Sequence, residues 1–264
     1  MPDTWNAENY LKFTELRTRS AKDLLASLPE EFNPKTVHDL GCGPGNSTVL
    51  LKKCFGNAQV YGLDDSASML NQARLNHSDI NFIECDISQY TPADGTKVDL
   101  IFANSALQWV KNHHKLLPNL VNALNMGGII AIQMPNNFHL PNHQIIVELL
   151  RGHPKWSVLL ASLRYGELKQ PFFDCADYYR TLTTAGLSKV DCWQTDYFHV
   201  MDSHAQIFDF AQSTALSPVL PNLNTSDQIK FKQLYIKALS KHYPPQTDGK
   251  ILLKFTRMFV VGYK

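Results

Sequence analysis

Three glycines, Gly41, Gly43 and Gly45, alternate within the segment HDLGCGPGNSTVLL, which covers residues 38–51. A short apolar run precedes them and a helix-like segment follows them, so the glycines occupy a strand-to-helix turn. Glycine has no Cβ and lets the backbone approach a ligand closely, and the start of a helix offers free amide groups. The segment predicts a binding loop for the polar groups of a cofactor, with a plain tight turn as the alternative.

Acidic residues follow the next two apolar runs. Asp64 ends the run AQVYGLD, and a carboxylate at that distance from the glycines can accept hydrogen bonds from both hydroxyls of an unmodified ribose. Asp65 is the competing candidate, and the start of a helix is the alternative role for Asp64. Asp86 follows the third run in ECDIS, where a carboxylate or a neighbouring amide could read the edge of an adenine. The pattern indicates a nucleoside.

The loop differs from two common nucleotide sites. A dinucleotide site of the NAD type spaces its glycines GxGxxG, whereas here they stand at every second position. A P-loop continues with lysine and then serine or threonine, whereas this loop continues with Asn46, Ser47 and Thr48. These three residues suit a helix N-terminus better than a phosphate. The sequence therefore disfavours both an NAD-type dinucleotide site and a P-loop.

Strand-like and helix-like segments alternate from residue 37 to 134, which predicts a parallel sheet with helices on both faces. The apolar runs that predict strands lie at 36–41, 58–64, 80–85, 98–103, 128–134, 187–201 and 251–264. Helical patterns lie in 1–36 and at 47–55, 66–75, 113–125, 142–151, 154–163, 176–185, 204–214 and 225–242. Because parallel strands end at one edge, we expect the glycine loop, Asp64, Asp86 and the segment ANSALQW to meet there.

Composition and charge narrow the possible functions. The 264 residues carry a net charge of +1, which does not favour nucleic acid or an anionic membrane. We find neither an apolar run of membrane-spanning length nor a signal-peptide pattern. Five scattered cysteines without a CxxC pair, and ten histidines without ligand spacing, predict reduced thiols and no metal site. We expect a cytoplasmic monomer that acts on a small molecule, with no nucleic-acid or membrane partner.

The blocks HDLGCGPGNST, VYGLDDSASML, ECDIS and VDLIFANSALQWV, in this order, resemble the class I S-adenosylmethionine-dependent methyltransferases. The resemblance implies an α/β fold with a Rossmann-like, seven-stranded and mostly parallel sheet, helices on both faces and a helical lid. It implies S-adenosyl-L-methionine as cofactor and S-adenosyl-L-homocysteine as product. The cofactor-binding residues that it implies are Tyr10, Arg17, Asp39, Gly41, Cys42, Gly43, Asp64, Asp65, Met69, Asp86, Ile87, Asn104 and Gln108.

The same resemblance suggests one methyltransferase domain over residues 1–264. Residues 1–36 are expected to form N-terminal lid helices, and residues 37–134 the cofactor-binding core. The segments 135–175 and 202–245 are expected to be insertions that cover the substrate.

Segments near both ends of the chain narrow the family. WNAENYLKFTELRTRSAKDLL, YFHVMDSH and DGKILLKFTRMFVVGYK are similar to the trans-aconitate 2-methyltransferases. These enzymes transfer a methyl group to a carboxylate of a small tricarboxylic acid and form a monomethyl ester. A carboxylate is already ionised at neutral pH, so the reaction needs no general base. The resemblance therefore directs attention to anion anchors and aromatic walls.

Four residues are the candidates for binding the acceptor: Trp109, Tyr197, His199 and Arg257. Gln108, Trp109 and His199 are the positioning candidates, and we expect no catalytic nucleophile. Arg257 interrupts an apolar strand, either as an exposed edge charge or as an inward anchor for the substrate. Core packing is the alternative role for Trp109, and a structural role is the alternative for His199.

One departure from the family pattern leaves the acceptor open. Ser217 precedes Pro218 where the resemblance leads us to expect an arginine, and the region 150–175 also diverges. Arg164 or Lys169 could replace the missing charge. The alternatives are another methyl acceptor, such as malonyl carrier protein or a different small molecule, and a non-catalytic protein that binds S-adenosylmethionine.

Overall fold

Seven strands form one sheet in the structure, a computed structural model that describes residues 14–92, 95–162, 174–212 and 214–264, without the side chains of 14–17, 161 and 162. The strands are β1 (Thr36–Leu40), β2 (Gln59–Asp64), β3 (Asn81–Glu84), β4 (Val98–Asn104), β5 (Leu124–Pro135), β6 (Lys189–Met201) and β7 (Ile251–Tyr263). They lie in the order β3-β2-β1-β4-β5-β7-β6, and β7 is antiparallel to both of its neighbours. The predicted seven-stranded, mostly parallel sheet is confirmed.

Helices connect the strands on both sides of the sheet. They are α1 (Thr14–Ala26), α2 (Asn46–Cys54), α3 (Ala67–Asn76), α4 (His113–Ala123), α5 (Pro141–Gly152), α6 (Leu159–Ser162), α7 (Cys175–Thr184), α8 (His204–Gln212) and α9 (Thr225–His242). The prediction of a helix over 154–163 was wrong in extent, because turns occupy 154–158 and a helix begins at Leu159. Pro154 and Trp156 lie in that turn segment.

The strand order places the first loop at a topological switch point. From β1 the chain moves outward to β2 and β3 and then returns to β4 on the other side of β1. The connections that leave β1 and β4 therefore diverge, and a crevice opens at the carboxyl ends of these two strands. The glycine loop begins at this crevice.

Residues of the central strands alternate between two apolar cores. Leu100 and Phe102 of β4 face a core that includes residues of α1, α5, α8 and α9. Ile101 and Ala103 face a second core that includes residues of α4 and α7. A sheet covered on both faces needs apolar side chains in both directions, which explains the uniformly apolar runs in the sequence. The late helices share a core with the sheet, and the proposed division into core and lid stays a prediction.

Strands β6 and β7 form a ribbon that extends past the rest of the sheet. They pair from Lys189 with Tyr263 to Met201 with Ile251, whereas the pairing of β5 with β7 stops at Pro135 and Arg257. The projecting part of the ribbon stands above the carboxyl edge of the parallel strands. It can therefore form one wall of a site at that edge.

Within the described ranges, no helix combines the length and the apolar character that a membrane crossing requires.

Candidate functional site

The three glycines all adopt positive φ angles, but they serve different purposes. A Cβ on Gly41 would lie 2.3 Å from Cβ of Ala106, and a Cβ on Gly45 would lie 3.1 Å from the ring of Phe82. A Cβ on Gly43 would meet no described atom within 4 Å. Gly41 and Gly45 therefore allow close packing of the chain on itself, and Gly43 faces open space. Of the three, Gly43 has open space beside it for a ligand, and the predicted contact of Gly41 with a cofactor stays a prediction.

Asp64 fastens the glycine loop to the end of β2. Its Oδ2 accepts a hydrogen bond of 2.8 Å from the amide of Gly43, and its Oδ1 accepts one of 2.9 Å from the amide of Ser66. Burial raises the pKa of Asp64, and these amide hydrogen bonds act in the opposite direction. Each carboxylate oxygen can accept a further hydrogen bond, so this half-buried group can also bind a diol. Asp65, its competitor, is exposed.

Asp39 stabilises the glycine loop by binding the start of the helix that follows the loop. Its Oδ2 accepts hydrogen bonds of 2.7 Å from the hydroxyls of both Ser47 and Thr48 at the start of α2. Complete burial raises the pKa of Asp39 to about 6. Cys42 and Met69 are also buried, and burial raises the pKa of the Cys42 thiol. The thiol is therefore protonated at neutral pH and unreactive.

Asp86 caps a short 3₁₀ turn after β3. Its Oδ1 accepts a hydrogen bond of 2.9 Å from the amide of Ser88, and its side chain is exposed. Ile87 Cδ1 lies 3.6 Å from where a Cβ on Gly41 would stand, so this turn borders the glycine loop. Asp86 therefore caps the turn and Ile87 borders the glycine loop, and their predicted contact with a cofactor stays a prediction.

Strain marks the loop that follows β4. Ser105 has φ +56°, a left-handed conformation that costs energy in a residue other than glycine. The Ser105 amide donates to the carbonyl of Gln133 at 2.8 Å, and Gln108 Nε2 donates to the Ser105 carbonyl at 2.7 Å. Gln108 Oε1 is buried without a partner among the described residues, and Trp109 is half-buried beside it. These bonds hold the strained loop at the crevice next to Asn104.

A buried hydrogen-bonded pair supports the same loop from the opposite side of the sheet. His113 Nε2 lies 2.8 Å from the carbonyl of Leu107, and His113 Nδ1 lies 2.9 Å from the hydroxyl of Tyr178 in α7. A neutral histidine that donates from Nε2 and accepts at Nδ1 satisfies both bonds. The pair connects α7 to the turn that carries Gln108 and Trp109, a link that the sequence did not reveal.

Arg257 is buried in the interior of the sheet. Its strand lies between β5 and β6, and 4% of the residue is exposed, so the interpretation as an exposed edge charge is wrong. Arg257 Nη1 donates to Ser105 Oγ at 2.9 Å and to Gln133 Oε1 at 3.2 Å. Its guanidinium carbon lies 4.7 Å from the ring centre of Phe255. The charge is therefore fixed at the carboxyl edge of β5.

His199 and Tyr197 lie on the projecting ribbon, on the side that faces the helices. His199 is 2% exposed, and its pKa falls to about 4 because of burial and the charges of Arg257 and Arg19. Its Nε2 has no hydrogen-bond partner among the described residues. The hydroxyl of Tyr197 donates to Asp23 in α1 at 2.5 Å, and Arg19 lies 5.0 Å from the Tyr197 ring centre. These contacts join α1 to the ribbon.

Comparison with known proteins identifies the family. A family model described as a methyltransferase domain matches residues 37–128. A trans-aconitate 2-methyltransferase from Rhodopseudomonas palustris is 42% identical over 98% of this chain and 99% of its own length. Those from an Enterobacter species and Escherichia coli are each 40% identical over 98% of this chain and 97% of their own length. The chain belongs to the trans-aconitate 2-methyltransferase family.

Solved structures share the fold of this trans-aconitate 2-methyltransferase family member. Haemonchus contortus phosphoethanolamine N-methyltransferase 2, in complex with S-adenosyl-L-methionine, matches with a TM-score of 0.55 and 14% identity over 93% of this chain and 52% of its own. The YcgJ protein of Bacillus subtilis matches with a TM-score of 0.54 and 13% identity over 95% and 97% of the two chains. At these identities the likeness shows the fold alone.

Some residues singled out from the family resemblance fall outside the described part of the chain. These are Tyr10, Arg164, Lys169 and the side chain of Arg17, although Arg17 itself belongs to α1. Ser217 is described, and its hydroxyl donates to the carbonyl of Thr214 at 2.8 Å. Among the residues that the structure describes, no group of three histidine, cysteine, aspartate or glutamate side chains could hold a metal ion.

Sequence reasoning missed buried polar residues at the carboxyl edge of the sheet, two of which contact Arg257. Ser105 and Gln133 bond to it directly, and Asn137 is 1% exposed with neither side-chain amide atom bonded among the described residues. The sequence did contain an indication of this buried polar site, because Gln133 is a polar residue near the end of the apolar strand GIIAIQM. In this member of the trans-aconitate 2-methyltransferase family, the polar ends of β4, β5 and β7 thus converge.

Proposed function

We propose that this protein transfers a methyl group from S-adenosylmethionine to a carboxylate of trans-aconitate, forming a monomethyl ester and S-adenosylhomocysteine. The observation that carries the proposal is the 40–42% identity over nearly the full length of relatives that bear that enzyme's name. The buried cation at the carboxyl edge of β5 supports it physically, because such a group attracts an acid.

The proposed cofactor site surrounds the glycine loop. Asp64 would accept the ribose hydroxyls, since both of its oxygens are already oriented by backbone amides. The open space beside Gly43 would receive the methionine portion, and Ile87 would pack on the adenine. When bound, S-adenosylmethionine supplies a methyl group activated by a sulfonium. The remaining members of the proposed set are Tyr10, Arg17, Asp39, Gly41, Cys42, Met69, Asp86, Asn104 and Gln108, with Asp65 as the alternative to Asp64.

The proposed acceptor site lies between the loop after β4 and the ribbon. Arg257 would bind a carboxylate, and Trp109 and Tyr197 would form aromatic walls. Because all of these groups stand at the same edge as the glycine loop, an acid bound there would face the cofactor site. Holding a carboxylate oxygen in line with the activated methyl group, away from water, is the main contribution that the protein can make.

The environment of His199 agrees with a reaction that needs no base. A histidine with a pKa of about 4 is neutral at pH 7 and takes up protons poorly. It would remove the proton of a phenol or an amine inefficiently. A carboxylate is already deprotonated at that pH, so a neutral His199 can still donate or accept a hydrogen bond to it.

A methylation assay tests the proposal directly. The purified protein is incubated with S-adenosylmethionine and, separately, with trans-aconitate, cis-aconitate, citrate, malonyl carrier protein and a simple phenol, and the products are analysed by mass spectrometry. We expect a monomethyl ester, with trans-aconitate as the most rapidly methylated acceptor. Methylation of a different acceptor in the absence of any trans-aconitate ester would refute the assignment.

Calorimetry tests the proposed cofactor independently of the proposed methyl acceptor. S-adenosylhomocysteine should bind, and NADH should not. Binding of NADH alone would contradict the whole proposal, whereas binding of S-adenosylhomocysteine without an ester product would remove only the acceptor.

We further infer that the protein acts as a monomer in the cytoplasm, with a small acid and neither nucleic acid nor membrane as partner. The net charge of +1 supports the absence of a nucleic-acid or anionic membrane partner. Light scattering on the purified protein should give the mass of one chain, and the mass of a dimer would contradict it.

A further inference from the structure

Gln133 occupies the centre of the converging strand ends. It lies in β5, opposite Asn104 of β4 on one side and Phe259 of β7 on the other. The residue is completely buried, and its side chain points toward Arg257 and Ser105. A long polar side chain at such a position needs hydrogen bonds from both ends of its amide.

The orientation of the Gln133 amide follows from its two neighbours. Ser105 Oγ lies 3.1 Å from Gln133 Oε1, and Arg257 Nη1 lies 3.2 Å from the same oxygen. A guanidinium only donates hydrogen bonds, so the atom that faces Arg257 must be the amide oxygen. The NH₂ group therefore occupies the other position. The partners of the Gln133 amide therefore fix which of its ends is the oxygen and which is the nitrogen.

Within the described part of the chain, the Gln133 NH₂ group is left without an acceptor. Nε2 is buried and has no hydrogen-bond partner among the residues that the structure describes. A buried donor without an acceptor destabilises the folded protein, and a substrate that supplies the acceptor relieves this. Because the guanidinium of Arg257 is fixed next to it, the acceptor that fits best is negatively charged.

We propose that Gln133 determines acceptor specificity by donating from Nε2 to a carboxylate that is not methylated, which Arg257 binds at the same time. The proposal rests on the proposed function, in which the acceptor has three carboxylates and one receives the methyl group. The other two stay charged, and acceptor-only oxygens next to a donor and a cation satisfy both. Gln133 thereby distinguishes a polycarboxylate from an acid with a single carboxylate.

The test combines one variant with three analogues. Gln133→Met keeps the length of the side chain and removes the amide. Methylfumarate, itaconate and glutaconate each resemble trans-aconitate without one of its three carboxylates. The apparent affinity of trans-aconitate (as KM) and of each analogue (as an inhibitor) is measured for the wild type and the variant. Gln194→Met is the matched control, since Gln194 is exposed on the other face of the ribbon.

We expect Gln133→Met to raise the KM for trans-aconitate about tenfold, with kcat and the affinity for S-adenosylhomocysteine changed by less than about threefold. Two of the three analogues should also bind Gln133→Met about tenfold more weakly than they bind the wild type. The third, which lacks the carboxylate that Gln133 binds, should bind both proteins equally well. Gln194→Met should behave as the wild type.

Two results would overturn the inference. Equal losses for all three analogues would indicate a structural role, and an unchanged KM would exclude contact with the acceptor. In both cases methylation of trans-aconitate by the wild type shows that the proposed function stands. If the wild type neither methylates trans-aconitate nor binds any of the four acids, the proposed function and the inference fail together. Thermal melts of Gln133→Met, with and without S-adenosylhomocysteine, verify that the variant is folded.

Discussion

In the half of the sheet edge formed by β1, β2 and β3, one buried side-chain oxygen, Asp39 Oδ1, has no hydrogen-bond partner among the described residues, whereas the half formed by β4, β5, β6 and β7 has several such atoms. In the first half, Asp64 accepts hydrogen bonds from the amides of Gly43 and Ser66, and Asp86 accepts one from the amide of Ser88. In the other half, Gln133 Nε2, His199 Nε2 and Gln108 Oε1 are buried without partners among the described residues.

Because of this difference, the two halves of the sheet edge would recognise their ligands in different ways. The first half is organised before a cofactor arrives, because its carboxylates are already held by the loop that they serve. Preorganisation of this kind reduces the cost of binding. The second half gains hydrogen bonds when an acid enters, which favours molecules that supply charged oxygens at the correct places. Substitutions in the two halves should therefore affect different measurements.

The largest effect is expected from Arg257→Met. Loss of the buried guanidinium removes charge-assisted hydrogen bonds to the acceptor, and the KM for trans-aconitate should rise about 100-fold. The affinity for S-adenosylhomocysteine, measured by calorimetry, should change less than about threefold. Lys254→Met, in the same strand but only half-buried and paired with Asp196, is the matched control and should retain the wild-type KM. Equal losses for both ligands would remove the distinction between the halves.

Asp64→Ala should affect the opposite measurement. The variant loses the proposed ribose contact and the hydrogen bond from the Gly43 amide, so affinity for S-adenosylhomocysteine should fall about 50-fold. Asp65→Ala removes an exposed carboxylate one residue away and should change the affinity less than about twofold. A stronger effect at Asp65 than at Asp64 would reverse the assignment of the ribose residue.

Two buried groups, His199 in β6 and Asp39 in β1, also respond to acid in opposite directions. The pKa of His199 falls from 6.5 to about 4 on folding, so between these values the unfolded state binds the additional proton and stability rises with pH. The pKa of Asp39 rises from 3.8 to about 6, so in that window the folded state binds the additional proton and stability falls with pH. His38 and His143, with pKa values of about 4, act like His199.

Burial lowers the pKa of four histidines (His38, His113, His143 and His199) and raises the pKa of two aspartates (Asp39 and Asp64). Because the histidines outnumber the aspartates, the free energy of unfolding should decrease as the pH is lowered from 6.5 to 4.5. His199→Gln should flatten this dependence by up to about 1.4 kcal/mol per pH unit, and Asp39→Asn should make it steeper. Urea unfolding at a series of pH values measures both slopes. A change of the same sign in the two variants would contradict the contrast.

The smallest effect is expected from Tyr197→Phe. The variant keeps the aromatic ring and loses the hydroxyl that donates to Asp23, an exposed acid. Stability to urea should fall by less than about 1 kcal/mol, and the KM for trans-aconitate should change less than about threefold. Tyr61→Phe, which loses a bond to Gln59 in β2, is the counterpart in the other half. A tenfold rise in KM for Tyr197→Phe would show that the hydroxyl touches the acceptor.

The first half was more predictable from the sequence than the second. Gly43 and Asp64 lie 21 positions apart and come together because adjacent parallel strands end at one edge. Gln133 and Arg257 lie 124 positions apart, and their contact depends on the insertion of β7 beside β5. Periodicity predicts that each strand exists, but it does not give the order of strands in a sheet. The burial of Arg257 and the role of Gln133 were therefore not accessible.

The position of β7 also has a consequence during synthesis. This strand is added to the chain after β6 and yet lies between β5 and β6. Until residues 251–263 emerge, β5 presents an unpaired apolar edge and β6 has no neighbour, a condition that invites association with other nascent chains. The same insertion delivers Arg257. A nascent chain could therefore form the glycine loop early, but it would acquire its anion-binding centre only when β7 pairs with β5 and β6.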